Sequence, residues 1–338
     1  MKTIIKILPM AAAAALALGA ATFSANADEK IKLSFAYFAS EQSYPGPVMT
    51  EWVKRIEEAT NGQVSVDKYP DGTLLKRDEM FDGVLSGVVD IGMSSIADPG
   101  RFPVQYGIGL PLGLEDGRIA SIVAYDLVNE FQPKELADFK VLTIMATGPG
   151  YLQTSSPMTS LADLKGKEVR GTGGGVDVLR SLGAAPVGMP ITEVPQALQT
   201  GVIDGYMTSI EVIKEFKLAE MVKHVTEYPM NVLTFAVVMN KAKWDSLPKN
   251  VQDAIDAVSR DLAVFAGELY DERAEEAIEW AKSEYGVEFH QLADEEAAKW
   301  TEATAPLVQA WVKKQEAAGL PAQDFLDRLA ELRKENAK

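Results

Sequence analysis

The sequence contains no cysteine, and histidine occurs only twice, as His224 and His290. The absence of cysteine excludes disulfides, thiolate metal sites and a lipid-modified cysteine anchor. Neither histidine belongs to an H-E-x-x-H motif, and no G-x-S-x-G motif is present. Both histidines are interpreted as polar surface residues. The sequence therefore predicts no catalytic residues, no metal ligands and no cofactor.

Positive charge is also in short supply, with 33 Lys and Arg against 49 Asp and Glu and a formal net charge of −16. An acidic chain repels nucleic acid and anionic membrane surfaces, so neither is an expected partner. The net charge does not exclude an anionic small molecule, because a local basic pocket can lie inside an acidic shell.

The longest apolar run lies at the N-terminus, from Ile7 to Ala21. It is shorter than the ~20 residues of a membrane-spanning helix. Lys2 and Lys6 precede it, and Ala25-Asn26-Ala27 follows as an A-x-A cleavage site, which is typical of a secretory signal peptide. We expect residues 1–27 to be removed and the mature chain to lie free in the periplasm.

The remaining sequence alternates strand-like and helix-like segments, a pattern that favours an α/β fold. Its length exceeds what one hydrophobic core usually supports, and no tether-like linker divides it, so we expect two lobes that share elements. Strands are predicted over residues 32–38, 64–69, 88–95, 141–145, 168–171 and 233–239. Helices are predicted over 48–60, 77–86, 176–182 and 322–335, with one helix, or two joined end to end, within 248–311.

An internal repeat relates residues 83–96 (GVLSGVVDIGMSSI) to residues 197–210 (ALQTGVIDGYMTSI). Each copy predicts a helix ended by glycine, a turn, and a buried strand tipped with hydroxyl groups. Ligands of open α/β sheets bind beyond the carboxyl ends of the strands, so we expect the two hydroxyl tips to face each other across a cleft. The alternative is that helix–turn–strand units recur by chance. Asp90 and Asp204, one in each copy, are interpreted as caps of backbone N–H groups.

Arg170 is the strongest candidate for ligand chemistry. It lies near the end of the predicted strand over residues 168–171, which leads into a loop of Gly171, Gly173, Gly174 and Gly175. Backbone N–H groups of such a loop can approach an anion, and a guanidinium can grip a carboxylate with two parallel hydrogen bonds. The alternative is a flexible turn that carries a solvated arginine. The candidates for an aromatic pocket wall are Tyr37, Phe38, Tyr44, Tyr151, Tyr206 and Phe235. Tyr37 and Tyr206 are preferred because they lie near predicted strand ends, and the alternative for all six is an ordinary core position.

The chain resembles the DctP family, the solute-binding components of tripartite ATP-independent periplasmic (TRAP) transporters. Six segments carry the resemblance, at residues 57–74, 86–95, 109–116, 160–171 (SLADLKGKEVRG), 182–205 (LGAAPVGMPITEVPQALQTGVIDG) and 243–255. The resemblance implies a non-enzymatic protein that closes two lobes around an organic acid. It also implies that the acid passes to a small and a large membrane subunit.

The resemblance further implies that Arg170 is the arginine that pairs with the ligand carboxylate. Thr208 stands where many members have asparagine, and Ser95 and Arg77 lie at or near acidic contact positions of sialic-acid binders. These departures argue against an amino sugar and suggest a compact anion with apolar or aromatic bulk. The predicted ligand-binding residues are Arg170, Thr208, Ser95, Arg77, Tyr37, Tyr151, Gly173, Ile191, Tyr206 and Phe235.

The predicted organisation assigns residues 28–147 and 237–270 to lobe I and residues 148–236 and 271–303 to lobe II. Residues 304–338 are predicted to form C-terminal helices that pack across both lobes. The mature protein is expected to be a monomer with mixed sheets, a central ligand cleft and long bridging helices. A sulfonate ligand, a sensory role and a periplasmic enzyme are the alternatives that the sequence leaves open.

Overall fold

Two mixed β-sheets organise the chain in a computed structural model that describes residues 30–337. The predicted signal peptide lies outside the described residues. The strands are β1 (Ile31–Tyr37), β2 (Val64–Tyr69), β3 (Ile91–Ser95), β4 (Phe139–Ala146), β5 (Gly150–Thr154), β6 (Glu168–Arg170), β7 (Ala185–Val187), β8 (Gly205–Ser209), β9 (His224–Thr226), β10 (Thr234–Asn240) and β11 (Glu288–His290).

The helices of the described residues mostly alternate with these strands, as the α/β pattern predicts. They are α1 (Pro45–Ala59), α2 (Met80–Leu85), α3 (Gly117–Phe131), α4 (Leu161–Leu164), α5 (Gly174–Ser181), α6 (Val194–Gln199), α7 (Val212–Glu215), α8 (Lys241–Ser246), α9 (Lys249–Tyr285), α10 (Asp294–Ala317) and α11 (Ala322–Asn336). Within residues 30–337, no helix has the length and apolarity needed to cross a membrane.

The first sheet has the order β2-β1-β3-β10-β4, and the second has the order β11-β9-β5-β8-β6-β7. In each sheet, parallel strands stand beside an antiparallel neighbour: β10 runs antiparallel to β3 and β4, and β5 runs antiparallel to β8 and β9. The near-continuous burial of β3, β8 and β10 follows from helices on both faces of each sheet.

Two long helices connect the lobes built on these sheets, which confirms the predicted bridging helices. Helix α9 buries Leu262 in the core beneath the first sheet and Ala281 in a core of the second. Helix α10 buries Trp300 against the second sheet and Trp311 against the first. The finer boundaries between residues 147 and 148, 236 and 237, and 270 and 271 stay a prediction.

The predicted helical run over 248–311 is interrupted by β11. Gly286 takes a left-handed conformation (φ 63°) and ends α9. After this turn the burial of the side chains alternates along the chain, with Val287 buried and Glu288 exposed, as in a strand. Strand β11, which begins at Glu288, pairs in parallel with β9 at the sheet edge. Edge pairing with a strand far away in sequence therefore decides the conformation of this short segment.

Candidate functional site

A cavity of about 920 Å³ lies between the two sheets. It is bordered by the carboxyl ends of β1, β3, β6 and β8 and by the start of α1. This position follows the rule that ligands of α/β sheets bind beyond the carboxyl ends of the strands. Of the predicted ligand-binding residues, the structure brings six to its wall: Arg170, Thr208, Ser95, Arg77, Ile191 and Phe235.

Arg170 is a buried cation at this wall, with only 5% of its surface exposed. Its Nε donates a hydrogen bond to the carbonyl of Met189 at 3.0 Å, which fixes the plane of the guanidinium. Within residues 30–337, no carboxylate lies at ion-pair distance from it. Burial, together with the nearby positive charge of Arg77, lowers the pKa of Arg170 to about 10. The site therefore holds a desolvated positive charge that an anion would neutralise.

Hydroxyl groups from both copies of the internal repeat face the cavity. Ser95 ends β3, and Thr208 and Ser209 end β8. Gly87 and Gly201 both take left-handed conformations (φ 76° and 71°) between the helix and the strand of each copy, as predicted. The two copies of the repeat therefore have the same local structure, and the hydroxyl groups at the ends of both strands line the cleft.

The two aspartates of the repeat make equivalent contacts, since each accepts a hydrogen bond from a backbone N–H group, as the capping interpretation predicts. Asp90 accepts a hydrogen bond from the backbone N–H of Ser34 at 2.8 Å, at the side of β1. Asp204 accepts one from the N–H of Glu168 at 2.9 Å, at the start of β6. Both carboxylates tie a strand to its neighbour, and neither lines the cavity.

The cavity has an aromatic corner made by Phe38 and Phe235, whose ring centroids are 6.0 Å apart. The guanidinium carbon of Arg77 lies 5.7 Å from the centroid of the Phe38 ring, within cation–π range. Phe38 belongs to the predicted aromatic set, although it was not among the final predicted ligand-binding residues. Because side chains alternate along a strand, Phe38 points the opposite way from Tyr37, which is buried in the core.

The other four predicted residues do not reach the wall. Tyr37 is fully buried in the core under α1, and its hydroxyl donates to Glu41. Tyr206 is fully buried behind Arg170 and donates to Gln153 Oε1 at 2.7 Å. Tyr151 packs against the core that contains Tyr206.

Gly173 stands at the start of α5, beside the cavity, with a left-handed φ of 53°. A Cβ atom placed on it would lie 3.3 Å from the carbonyl oxygen of Ala97. Its neighbour Thr172 lines the cavity instead. Gly173 therefore allows a close approach between the α5 end of the second lobe and the loop after β3.

Glu211 and Glu215 form an acidic corner that no sequence pattern predicted. Glu211 lines the cavity with 5% of its surface exposed and accepts from the hydroxyl of Ser209 at 2.8 Å. Burial, as the main cause, and the negative charge of Glu215, as the second, raise the pKa of Glu211 to about 7. Glu215 accepts from the backbone N–H of Tyr44 at 2.8 Å and from Arg273 at 3.2 Å, which joins α7 to the start of α1 and to α9.

The fold is that of a periplasmic solute-binding protein. It has two α/β lobes, a cleft between them at the strand ends, and helices that cross from lobe to lobe. The chain belongs to the DctP family, described as bacterial extracellular solute-binding protein, family 7, whose model matches residues 35–315. This family consists of solute-binding proteins and not of enzymes.

Three known proteins illustrate the similarity. A TRAP periplasmic solute binding protein from Desulfovibrio salexigens is 38% identical, with a TM-score of 0.86 over 91% of this chain and 97% of that one. A marine metagenome TRAP solute binding protein specific for aromatic acid ligands, solved with 3-hydroxybenzoate, is 30% identical, with a TM-score of 0.84 over 92% of this chain and 100% of that one. The C4-dicarboxylate-binding periplasmic protein DctP of Rhodobacter capsulatus is 29% identical over 82% of this chain and 86% of that protein.

Proposed function

We propose that the chain captures a small organic acid in the cleft, with Arg170 as the carboxylate-binding residue. The observation that carries the proposal is the burial of this guanidinium without a carboxylate partner among residues 30–337. A buried charge that no protein group neutralises is costly, and a ligand carboxylate would offset that cost through charge-assisted hydrogen bonds. In the periplasm, the chain then delivers the captured acid to the small and large membrane subunits of a TRAP transporter.

The proposed ligand is an aromatic monocarboxylate. Phe38 and Phe235 offer ring surfaces on the same cavity wall that contains Arg170. The side chains of Ile191 and Leu233 extend the apolar part of the wall. A ring packed against these groups, with its carboxylate on Arg170, uses both halves of the site. The aromatic acid ligands of the metagenome relative support this choice.

A C4-dicarboxylate is the second candidate, because Arg77 offers a second positive charge at the wall. The dicarboxylate-binding relative supports it. In our proposal Arg77 instead remains stacked on Phe38 and contributes only a general attraction for anions. A sulfonate could replace the carboxylate on Arg170 without any other change of the site.

A thermal-shift screen of refolded, ligand-free protein tests the proposed function. The panel contains substituted benzoates, C4-dicarboxylates, sulfonates and acidic sugars, with amines and neutral sugars as controls. A ligand at ~100 times its dissociation constant stabilises the folded state by ~2.7 kcal/mol, an increase that the melting temperature reports. We expect benzoates to give the largest shifts. Shifts from amines or neutral sugars, without any from anions, would overturn the proposal.

Replacement of Arg77 separates the two candidate ligands. We expect Arg77→Gln to weaken the binding of an aromatic monocarboxylate by about 0.5–1 kcal/mol, because only a long-range attraction is lost. A dicarboxylate that used Arg77 as its second clamp would lose about 2 kcal/mol or more. Calorimetric titration of the wild type, Arg77→Gln and the control Lys54→Gln, which lies on the exposed side of α1, measures the difference. A loss of the larger size for the best ligand of the screen would assign a dicarboxylate.

A further inference from the structure

The two histidines of the chain lie in contact, although 66 residues separate them in sequence. Parallel pairing of β11 with β9 brings them together, with Glu288 opposite His224 and His290 opposite Thr226. Because side chains alternate along a strand, His224, Glu288 and His290 share one face of this sheet edge, while Val225 and Phe289 turn toward the core. The pairing therefore gathers two imidazoles and one carboxylate at one point.

The atoms of this cluster have the spacing of metal ligands. His224 Nδ1 lies 3.0 Å from His290 Nε2, and Glu288 Oε2 lies 3.8 Å from the former and 3.7 Å from the latter. A point within the triangle of these three atoms lies about 2.0 Å from each of them. This distance matches the length of Zn–N and Zn–O bonds. We propose that His224, Glu288 and His290 bind a divalent transition metal of the zinc class.

The donor set decides which class of ion fits. Two imidazoles and one carboxylate suit Zn²⁺, Co²⁺, Ni²⁺ or Cu²⁺, whereas Ca²⁺ and Mg²⁺ require oxygen ligands in larger number. The side chain of Glu288 is 66% exposed, against 16% for His224 and 24% for His290. The solvent side of the site is thus open to a water molecule as the fourth ligand.

The ammonium groups of the two neighbouring lysines have contacts elsewhere. The ammonium of Lys223 donates to the carbonyls of Ala219 and Tyr285, and that of Lys282 lies over the ring of Phe289, 4.5 Å from its centroid. Metal binding requires Nδ1 of His224 and Nε2 of His290 to be unprotonated, so each neutral ring would carry its proton on its other nitrogen. The shared hydrogen bond between the two rings is then replaced by two bonds to the metal.

The site is distinct from the ligand cleft, since none of its three residues lines that cavity. Strand β11 connects α9 to α10, the two helices that join the lobes. A metal held across β9 and β11 would fasten this connection to the edge of the second sheet. Its expected effect is therefore stabilisation of the folded chain, without a change in the affinity for the organic acid.

Cobalt titration of the mature chain, prepared without a polyhistidine tag and treated with a chelator, tests the proposal. We expect one Co²⁺ per chain, with the visible absorption of a four-coordinate ion, and displacement by Zn²⁺. Zn²⁺ should also raise the melting temperature by ~2 °C or more, while Mg²⁺ and Ca²⁺ should not.

The variants His224→Gln and His290→Gln should each weaken Co²⁺ binding at least tenfold and abolish the zinc-induced shift. Glu284→Gln, an exposed residue near the end of α9, is the matched control and should bind Co²⁺ like the wild type. Circular dichroism and organic-acid binding verify that each variant is folded. Absence of the cobalt spectrum in the wild type, or its persistence in both histidine variants, would overturn the proposal.

Discussion

Arg170→Met is expected to weaken the binding of organic acids strongly while the chain remains folded. The guanidinium is the buried cation of the cleft, and its loss removes a charge-assisted, two-point contact with the ligand. We expect a loss of at least ~2 kcal/mol of binding free energy, which is about a thirtyfold weakening. The expected effect on stability is small, because the variant loses one hydrogen bond to Met189 but no longer buries an uncompensated charge.

Titration calorimetry with the best ligand of the screen, together with the melting temperature of the ligand-free protein, measures both effects. Arg180→Met is the matched control, because Arg180 is an exposed arginine on α5 that pairs with Asp177 at the surface. It should bind the ligand like the wild type. Near-native affinity in a folded Arg170→Met variant would contradict the assigned role of Arg170.

Glu211→Gln is expected to remove a large part of the pH dependence of stability. The pKa of Glu211 is raised from 4.5 to about 7, so between these values the native state holds a proton that the unfolded chain has released. Stability from this group is therefore fully present below pH 4.5 and is lost as the pH rises to 7. The cost above pH 7 is about 3 kcal/mol, since a tenfold change in a proton-binding constant corresponds to about 1.4 kcal/mol.

Urea unfolding at pH 5 and at pH 8 measures this contribution. The free energy of unfolding of the wild type should fall relative to that of Glu211→Gln by about 2–3 kcal/mol between pH 5 and pH 8. Glu220→Gln, an exposed neighbour, serves as the control and should follow the wild type. A parallel pH dependence of wild type and Glu211→Gln would show that Glu211 titrates normally.

The titration of Glu211 also bears on ligand capture. Glu211 lines the same cavity as Arg170, so its ionised form repels an incoming anion and its neutral form does not. The affinity for the organic acid should therefore decrease as the pH rises through 7, and this decrease should be absent in Glu211→Gln. The protonation state of Glu211 would thus make the affinity of the cleft for its ligand depend on pH.

Much of the fold could be predicted because its signals are local. Strand β2 occupies the predicted residues 64–69, where Pro70-Asp71-Gly72 ends it. The repeat, with Gly87 and Gly201, marks the two strands whose tips meet at the cleft. Arg170 ends its strand at the cavity wall, next to the glycine loop that singled it out.

The remaining features depend on contacts between distant segments, which local patterns do not encode. Tyr37 and Phe38 are neighbours, and only the packing of β1 under α1 decides that Phe38 faces the cavity. Glu211 reads as an ordinary surface acid until the lobes bury it. The contact between His224 and His290 needs the pairing of two three-residue strands, and a pair of isolated histidines gives no sign of it.

Recognition of a carboxylate by a buried cation is the central feature proposed for the cleft, and one comparison tests it most directly. Calorimetric titration of the refolded protein with benzoate and with benzamide compares two ligands that share a ring and differ in charge. We predict that benzoate binds and that benzamide binds at least about a hundredfold more weakly, because the amide cannot neutralise Arg170. Equal binding of both ligands would contradict this recognition and would assign Arg170 a purely structural role.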